Sequence, residues 1–377
     1  MNYNAAPVYF KNLNGLRAIA ALLVVISHVD IIKRKLGLSV SLKPYFLNLP
    51  IGSLSVTFFF VLSGFLISFL LLKEEQQHSK VNVLKFYFKR ILKIWPLYFL
   101  LTLVGFTYLM YKTGNYTFNT SLICYLLVLP NFALVSNPLC FQSWSIGVEE
   151  QFYLVWPLII TKKRILPIAL IIIFSFFIAR TIPLIYFILH FKCPNIFTNI
   201  NNFIIENRFD SMAVGAALAY FQFTNQKNYT ITSKQKYCFY LLLAGCFSAS
   251  QKFYFGSLHI VFSLLFAAFI FLQINGVKEN SFLEGRVMKY LGKISYGIYM
   301  WHVTGIYLAI RICNLINTKI NYSYFSFNII QYLFSIVITI IISMISYKIF
   351  ESYFLRLKTN FYKIEKPKKL VENIIYL

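Results

Sequence analysis

The sequence predicts an all-α fold, a polytopic transmembrane helical bundle, and three observations carry that reading. Only 13% of the 377 residues are charged, where a soluble globular domain has about 25%. The composition is 58% hydrophobic and 19% aromatic, with a mean hydropathy of +0.65. The apolar residues gather in repeated runs of about 20 residues, the length a helix needs to cross a bilayer.

Ten such runs are expected to span, at about 13–32, 51–72, 91–111, 144–160, 165–190, 209–223, 237–251, 256–274, 295–311 and 328–350. A further apolar piece, about 121–135, is shorter and ends at Leu129-Pro130-Asn131. Charge decides its placement. If it does not cross, 25 of the 36 Lys and Arg fall on one side and 9 on the other. Short loops rich in Lys and Arg face the cytoplasm. The 121–135 segment is therefore read as re-entrant or interfacial in an outer loop, with both termini cytoplasmic. Lys33-Arg34-Lys35 then falls on the outer side against this bias, with headgroup contact as its expected role.

Residues 1–11 are polar and weakly basic, so the first run is read as a retained span rather than a cleaved signal. No internal repeat or low-complexity tract appears. The expected organisation is one integral membrane domain over 1–377, with a basic cytoplasmic tail at 352–377 and no attached soluble domain. A net charge of +24 would suggest nucleic acid in a soluble protein. Here the basic residues cluster in short loops, so the lipid bilayer is the expected partner and nucleic acid is not. The six cysteines show no CxxC pair and no ligand spacing with histidine, so no metal site is expected. Cys124 and Cys140 are the one pair that a single loop brings close in sequence.

Polar groups inside spans are costly, which makes them functional candidates. In the first run, "GLRAIAALLVVISH", Arg17 and His28 are eleven residues apart. That is close to three helical turns, so they share a face, about 16 Å apart along the axis. Histidine serves as a general base near neutral pH, and arginine holds phosphate. At the entrance to the third span, "KFYFKRILKIWPLYF" puts Arg90 and Lys93 on one face, a cationic mouth for an anionic cytoplasmic ligand. In "FQSWSIGVEEQFYLVWPL", Glu149 and Glu150 are adjacent within an apolar run and cannot face the same way. A buried carboxylate needs a partner, and a histidine or arginine on another helix is the natural one.

Secondary candidates follow in "ENRFDSMAVGAALAY" and "LGKISYGIYMWH". Arg208 either pairs with Asp210 or leaves it to cap the sixth span. Gly215-Ala216-Ala217 suggests close helix packing. Tyr299 and His302 lie in the ninth span. Glu351, in "YKIFESYFLRLK", ends the last span among basic neighbours and is expected in an ion pair.

Taken in order, these segments, with "FFFVLSGFLIS" between them, resemble the membrane acyltransferase 3 family, whose members O-acylate cell-surface saccharides and related compounds. The resemblance implies Arg17 and His28 as the family's arginine–ten residues–histidine pair. It also implies Glu149, rather than Glu150, as the acid of a Trp-Ser-x-x-x-Glu segment. The family's basic pair, usually two arginines, is here Arg90 and Lys93, and Lys93 keeps charge without the bidentate fork. The chain ends at 377 without the extracytoplasmic hydrolase-like domain of some members, so it resembles the stand-alone type of a bacterial inner membrane.

The resemblance implies an acyl-CoA donor, most simply acetyl-CoA, with nothing bound permanently. The implied acceptor is a saccharide or glycolipid hydroxyl, and the oligomeric state is left open. Acetyl-CoA is a cytoplasmic polyanion whose phosphates suit Arg17, Arg90 and Lys93. Its long arm would carry the thioester towards His28. A transporter or flippase of a lipid-linked saccharide is the alternative. It would more readily show repeats or broken paired spans.

Overall fold

The structure, a computed structural model, describes residues 9–38, 50–114, 120–189, 194–225, 231–249, 255–276, 281–320 and 324–357. All regular structure among them is helical. In chain order it comprises α1 (Leu13–Lys35), α2 (Ile51–His78), α3 (Val83–Thr113), α4 (Thr120–Leu126), α5 (Trp144–Ile159), α6 (Ile165–Ile188) and α7 (Asn195–Asn207). There follow α8 (Phe209–Thr224), α9 (Ser233–Ala249), α10 (Phe255–Asn275), α11 (Arg286–Lys293), α12 (Ser295–Ile320) and α13 (Tyr324–Ser346). The expected tail lies outside the described residues from 358 onward; before that, α13 runs on through a π-helical turn at Tyr347–Glu351.

Five helical stretches are long and apolar enough to cross a membrane: Leu13–Lys35, Ile51–His78, Val83–Thr113, Ile165–Pro183 and Ser326–Leu357. The other five expected spans are helical but do not meet both criteria, mostly for want of length. Helices α5 and α8 have 16 residues and α9 has 17. At 1.5 Å per residue that is about 24–26 Å, less than the roughly 30 Å hydrocarbon core. Helix α10 has 21 residues, and the apolar stretch at His259–Asn275 is a part of it. Helix α12 is long enough, at 26 residues, but His302, Arg311 and several tyrosines dilute its apolar run. The seven residues of α4 reach only about 10 Å, too little to cross.

Two compact units stand inside the span expected as one domain: α1, α3, α4 and α11–α13 form the first, α2 and α5–α10 the second. In the first, α12 packs against α1 and α13. Its buried stripe, Ile298, His302, Val303, Ile306, Ala309, Ile310 and Cys313, recurs at three- and four-residue spacing, so one helix face is covered throughout. At the start of α1, Asn12 donates its N–H to Glu284, which also accepts from Tyr9 at 2.8 Å and pairs with Lys289 at 3.0 Å. Burial acts to raise the Glu284 carboxyl, but these donors outweigh it and hold the group below its ordinary value.

Near the other end of α1, Lys33 corrects the headgroup reading. It is 1% exposed, donates to Asn328 of α13 and lies 5.9 Å from the centre of the Tyr332 ring. Its long stem is buried and its ammonium meets α13. Cys124 and Cys140 are both unbridged thiols.

In the second unit, α2 is buried nearly all round and crosses α8 at small residues. A side chain on Gly64 would collide with the Met212 backbone, and one on Gly215 with the Val61 carbonyl. The close packing expected of Gly215-Ala216-Ala217 is present. Trp156 of α5 donates to Ser68 of α2 at 2.8 Å, which ties those two helices together.

Candidate active site

His28 lies on α1 with Nδ1 2.9 Å from the Val24 carbonyl one turn back. A carbonyl only accepts, so Nδ1 carries the hydrogen and Nε2 presents the lone pair. The orientation of the ring is thus set by α1 itself. Arg17 sits three turns earlier on the same helix, half-buried.

The ring of His28 faces two others. One is His302 of α12, with centroids 4.8 Å apart and planes at 63°. The other is Phe141, at 5.4 Å. His302 repeats the arrangement of His28, with Nδ1 2.6 Å from the Tyr299 carbonyl. The segment that carries Phe141 is clipped to α12 by reciprocal bonds. Gln142 donates to the carbonyls of Tyr299 and Met300 at 3.0 and 3.1 Å, and the Tyr299 hydroxyl donates back to the Gln142 carbonyl at 3.0 Å. Sequence reasoning missed Phe141 and Gln142. The available signal was a glutamine beside an apolar run, in a segment already quoted for its acids.

On α3, Arg90 and Lys93 are half-buried, and the Arg90 guanidinium lies 5.6 Å from the centre of the Phe86 ring. One residue beyond Lys93, the Ile94 carbonyl accepts from the Tyr296 hydroxyl at 2.7 Å, which ties α3 to α12. Glu351 belongs to the same neighbourhood: it accepts from Ser346 at 3.1 Å, and the opposite charge of Lys93 acts on it. Gly297 allows this approach, since a Cβ there would lie 2.9 Å from a Glu351 oxygen. The π-helical turn that ends at Glu351 is a form frequent at functional sites.

In the second unit, Glu149 accepts from Ser63 of α2 at 3.2 Å and from Tyr153 at 2.9 Å. Neither hydroxyl was singled out in the sequence. The expectation for Arg208 and Asp210 is corrected too. Asp210 receives both arms of Arg180, one at 3.1 Å, with both side chains almost fully buried. Arg208 stands at the break between α7 and α8 with φ 46°, outside the helix that carries Asp210. It donates to the Ser53 carbonyl and hydroxyl at 3.0 and 2.8 Å and to Thr57 at 3.2 Å, with its guanidinium 5.4 Å from the centre of the Trp144 ring. Asp210 therefore neither caps α8 nor pairs with Arg208. It neutralises Arg180.

A family model described as "Acyltransferase domain" matches residues 10–348, nearly the whole chain. The chain belongs to the acyltransferase 3 family. The O-acetyltransferase OatA of Staphylococcus aureus strain NCTC 8325 / PS 47 is 26% identical over 329 residues. That alignment covers 79% of this chain and 50% of OatA, and OatA of strain MRSA252 gives the same figures. The chain thus spans about half the length of these relatives. No solved structure matches. The chain is an acyltransferase by family and an integral membrane protein. His28, with a lone pair on Nε2, has the chemistry of a general base, and Arg17, Arg90 and Lys93 carry positive charge.

Proposed function

We propose that this acyltransferase moves an acetyl group from acetyl-CoA to a hydroxyl of a cell-envelope saccharide or glycolipid. The observation that carries this reading is His28, whose Nδ1 is committed to a backbone carbonyl so that Nε2 is the base. Arg17, Arg90 and Lys93 receive the donor's phosphates from the cytoplasm, and the pantetheine arm brings the thioester to His28. Glu149 serves the same reaction as its acid; its support is its position in the Trp-Ser-x-x-x-Glu segment and its role as a hydrogen-bond acceptor. The chain lies in a bacterial inner membrane with both termini cytoplasmic. Reporter fusions should therefore read cytoplasm at Lys163 and outside at Asn131, and a cytoplasmic signal at Asn131 overturns that orientation.

The donor test is direct. Purified protein should bind acetyl-CoA with an affinity that falls as salt rises, because phosphates meet Arg and Lys. Arg90→Ala and Arg17→Ala should each weaken binding more than His28→Ala does. Absence of acyl-CoA binding alongside saccharide-dependent transport would replace this reading with a flippase.

A further inference from the structure

We infer that His302 is a positioning residue that holds the proton His28 takes from the acceptor, so that the two imidazoles work as a dyad. This rests on the acyl-transfer reading above and deepens it.

His302 is fully buried, and its Nδ1 must carry hydrogen because it faces the Tyr299 carbonyl. Its Nε2 is then an acceptor. That atom is buried and receives no hydrogen bond among the described residues. Buried acceptors normally have donors, so this one calls for a physical reason. His28 supplies one. Its Nδ1 is held by Val24, so a proton arriving on Nε2 turns that atom from acceptor into donor.

The ring centroids are 4.8 Å apart, which brings a bond between the ring nitrogens within reach, direct or through one water. His302 thus gains its missing donor only in the protonated state through which the reaction passes. An interaction made then and not at rest lowers the barrier. The other groups nearby make a poor substitute. The Lys35 ammonium, 4.2 Å from the centre of the Phe141 ring, opposes a charge on His28, and the Tyr299 hydroxyl is committed to Gln142.

The step balances. The acceptor oxygen bonds to the thioester carbon as its O–H bond breaks. The proton goes to His28 Nε2 and is shared with His302 Nε2. It passes to sulfur as the C–S bond breaks, which leaves an ester and a thiol.

The test uses the full chain in membrane vesicles, acetyl-CoA as donor and the vesicles' own envelope saccharide as acceptor, with thiol release followed optically. His302→Phe keeps a ring and removes the acceptor. It should lower kcat about 10- to 100-fold, the worth of a hydrogen bond to a charged group, with KM for acetyl-CoA within about twofold. His302→Gln retains an acceptor oxygen and should recover to within about tenfold of wild type.

Wild-type kcat in His302→Phe overturns the proposal. Equal losses in both variants with a raised KM also overturn it, since packing alone would do that. If His302→Phe does not accumulate, His302→Leu stands in for it beside His302→Gln: a kcat loss recovered by glutamine at unchanged KM supports the dyad, and equal losses overturn it. A wild type that releases no thiol overturns the acyl-transfer reading itself, whereas an active wild type with an unaffected His302→Phe overturns only the dyad.

Discussion

His28→Ala is expected to reduce acyl transfer to about 1% of wild type or less, with protein level and acetyl-CoA affinity nearly unchanged. General base assistance is typically worth about 10²–10⁴-fold, and the substitution removes Nε2, the ring nitrogen that the Val24 bond leaves free. The measurement is label from acetyl-CoA in the saccharide fraction, beside donor binding on the same preparation. Glu149→Gln extends the same prediction. It removes the charge, and it presents an amide N–H to hydroxyls that now donate to a carboxylate. Its loss should approach that of His28→Ala. Glu150→Gln should matter much less, since neighbouring helical side chains diverge by about 100°. Label trapped on His28 without acceptor would replace base catalysis with a covalent acyl-imidazole route. Full activity of His28→Ala would sink both.

The second large effect is on folding. Arg180→Ala should destabilise the protein by about 3–5 kcal/mol, because it leaves the Asp210 carboxylate buried without its counter-charge. In detergent this should appear as a melting midpoint lower by on the order of 10 °C. The double change Arg180→Met with Asp210→Leu removes both charges and keeps apolar volume. It should recover most of the loss, since a well-packed apolar pair often equals a buried ion pair. A wild-type midpoint in the single variant, or no recovery in the double, would show that the pair does not hold α6 to α8.

Much of this was legible in the sequence because it depends on composition and local periodicity. The scarcity of charge determines a membrane protein whatever the packing, and apolar runs of helical length determine the all-α class. The eleven-residue interval determines that Arg17 and His28 share a face of α1, since that follows from the helical repeat alone. Seven segments in one order marked the family. What each polar side chain bonds to was not legible, because a partner is chosen by proximity in space. Asp210 has Arg208 two residues away and Arg180 thirty residues away, and it takes the distant one because α6 packs against α8. Lys33 sits in a basic triplet that reads as surface, yet α13 buries it. His302 looks like an interior histidine of one helix. Only the packing of α12 against α1 places its ring 4.8 Å from that of His28. Sequence determines which groups a helix carries and on which face; the tertiary structure decides which of them meet, because burial forces each polar atom to find its partner among whatever the neighbouring helix presents.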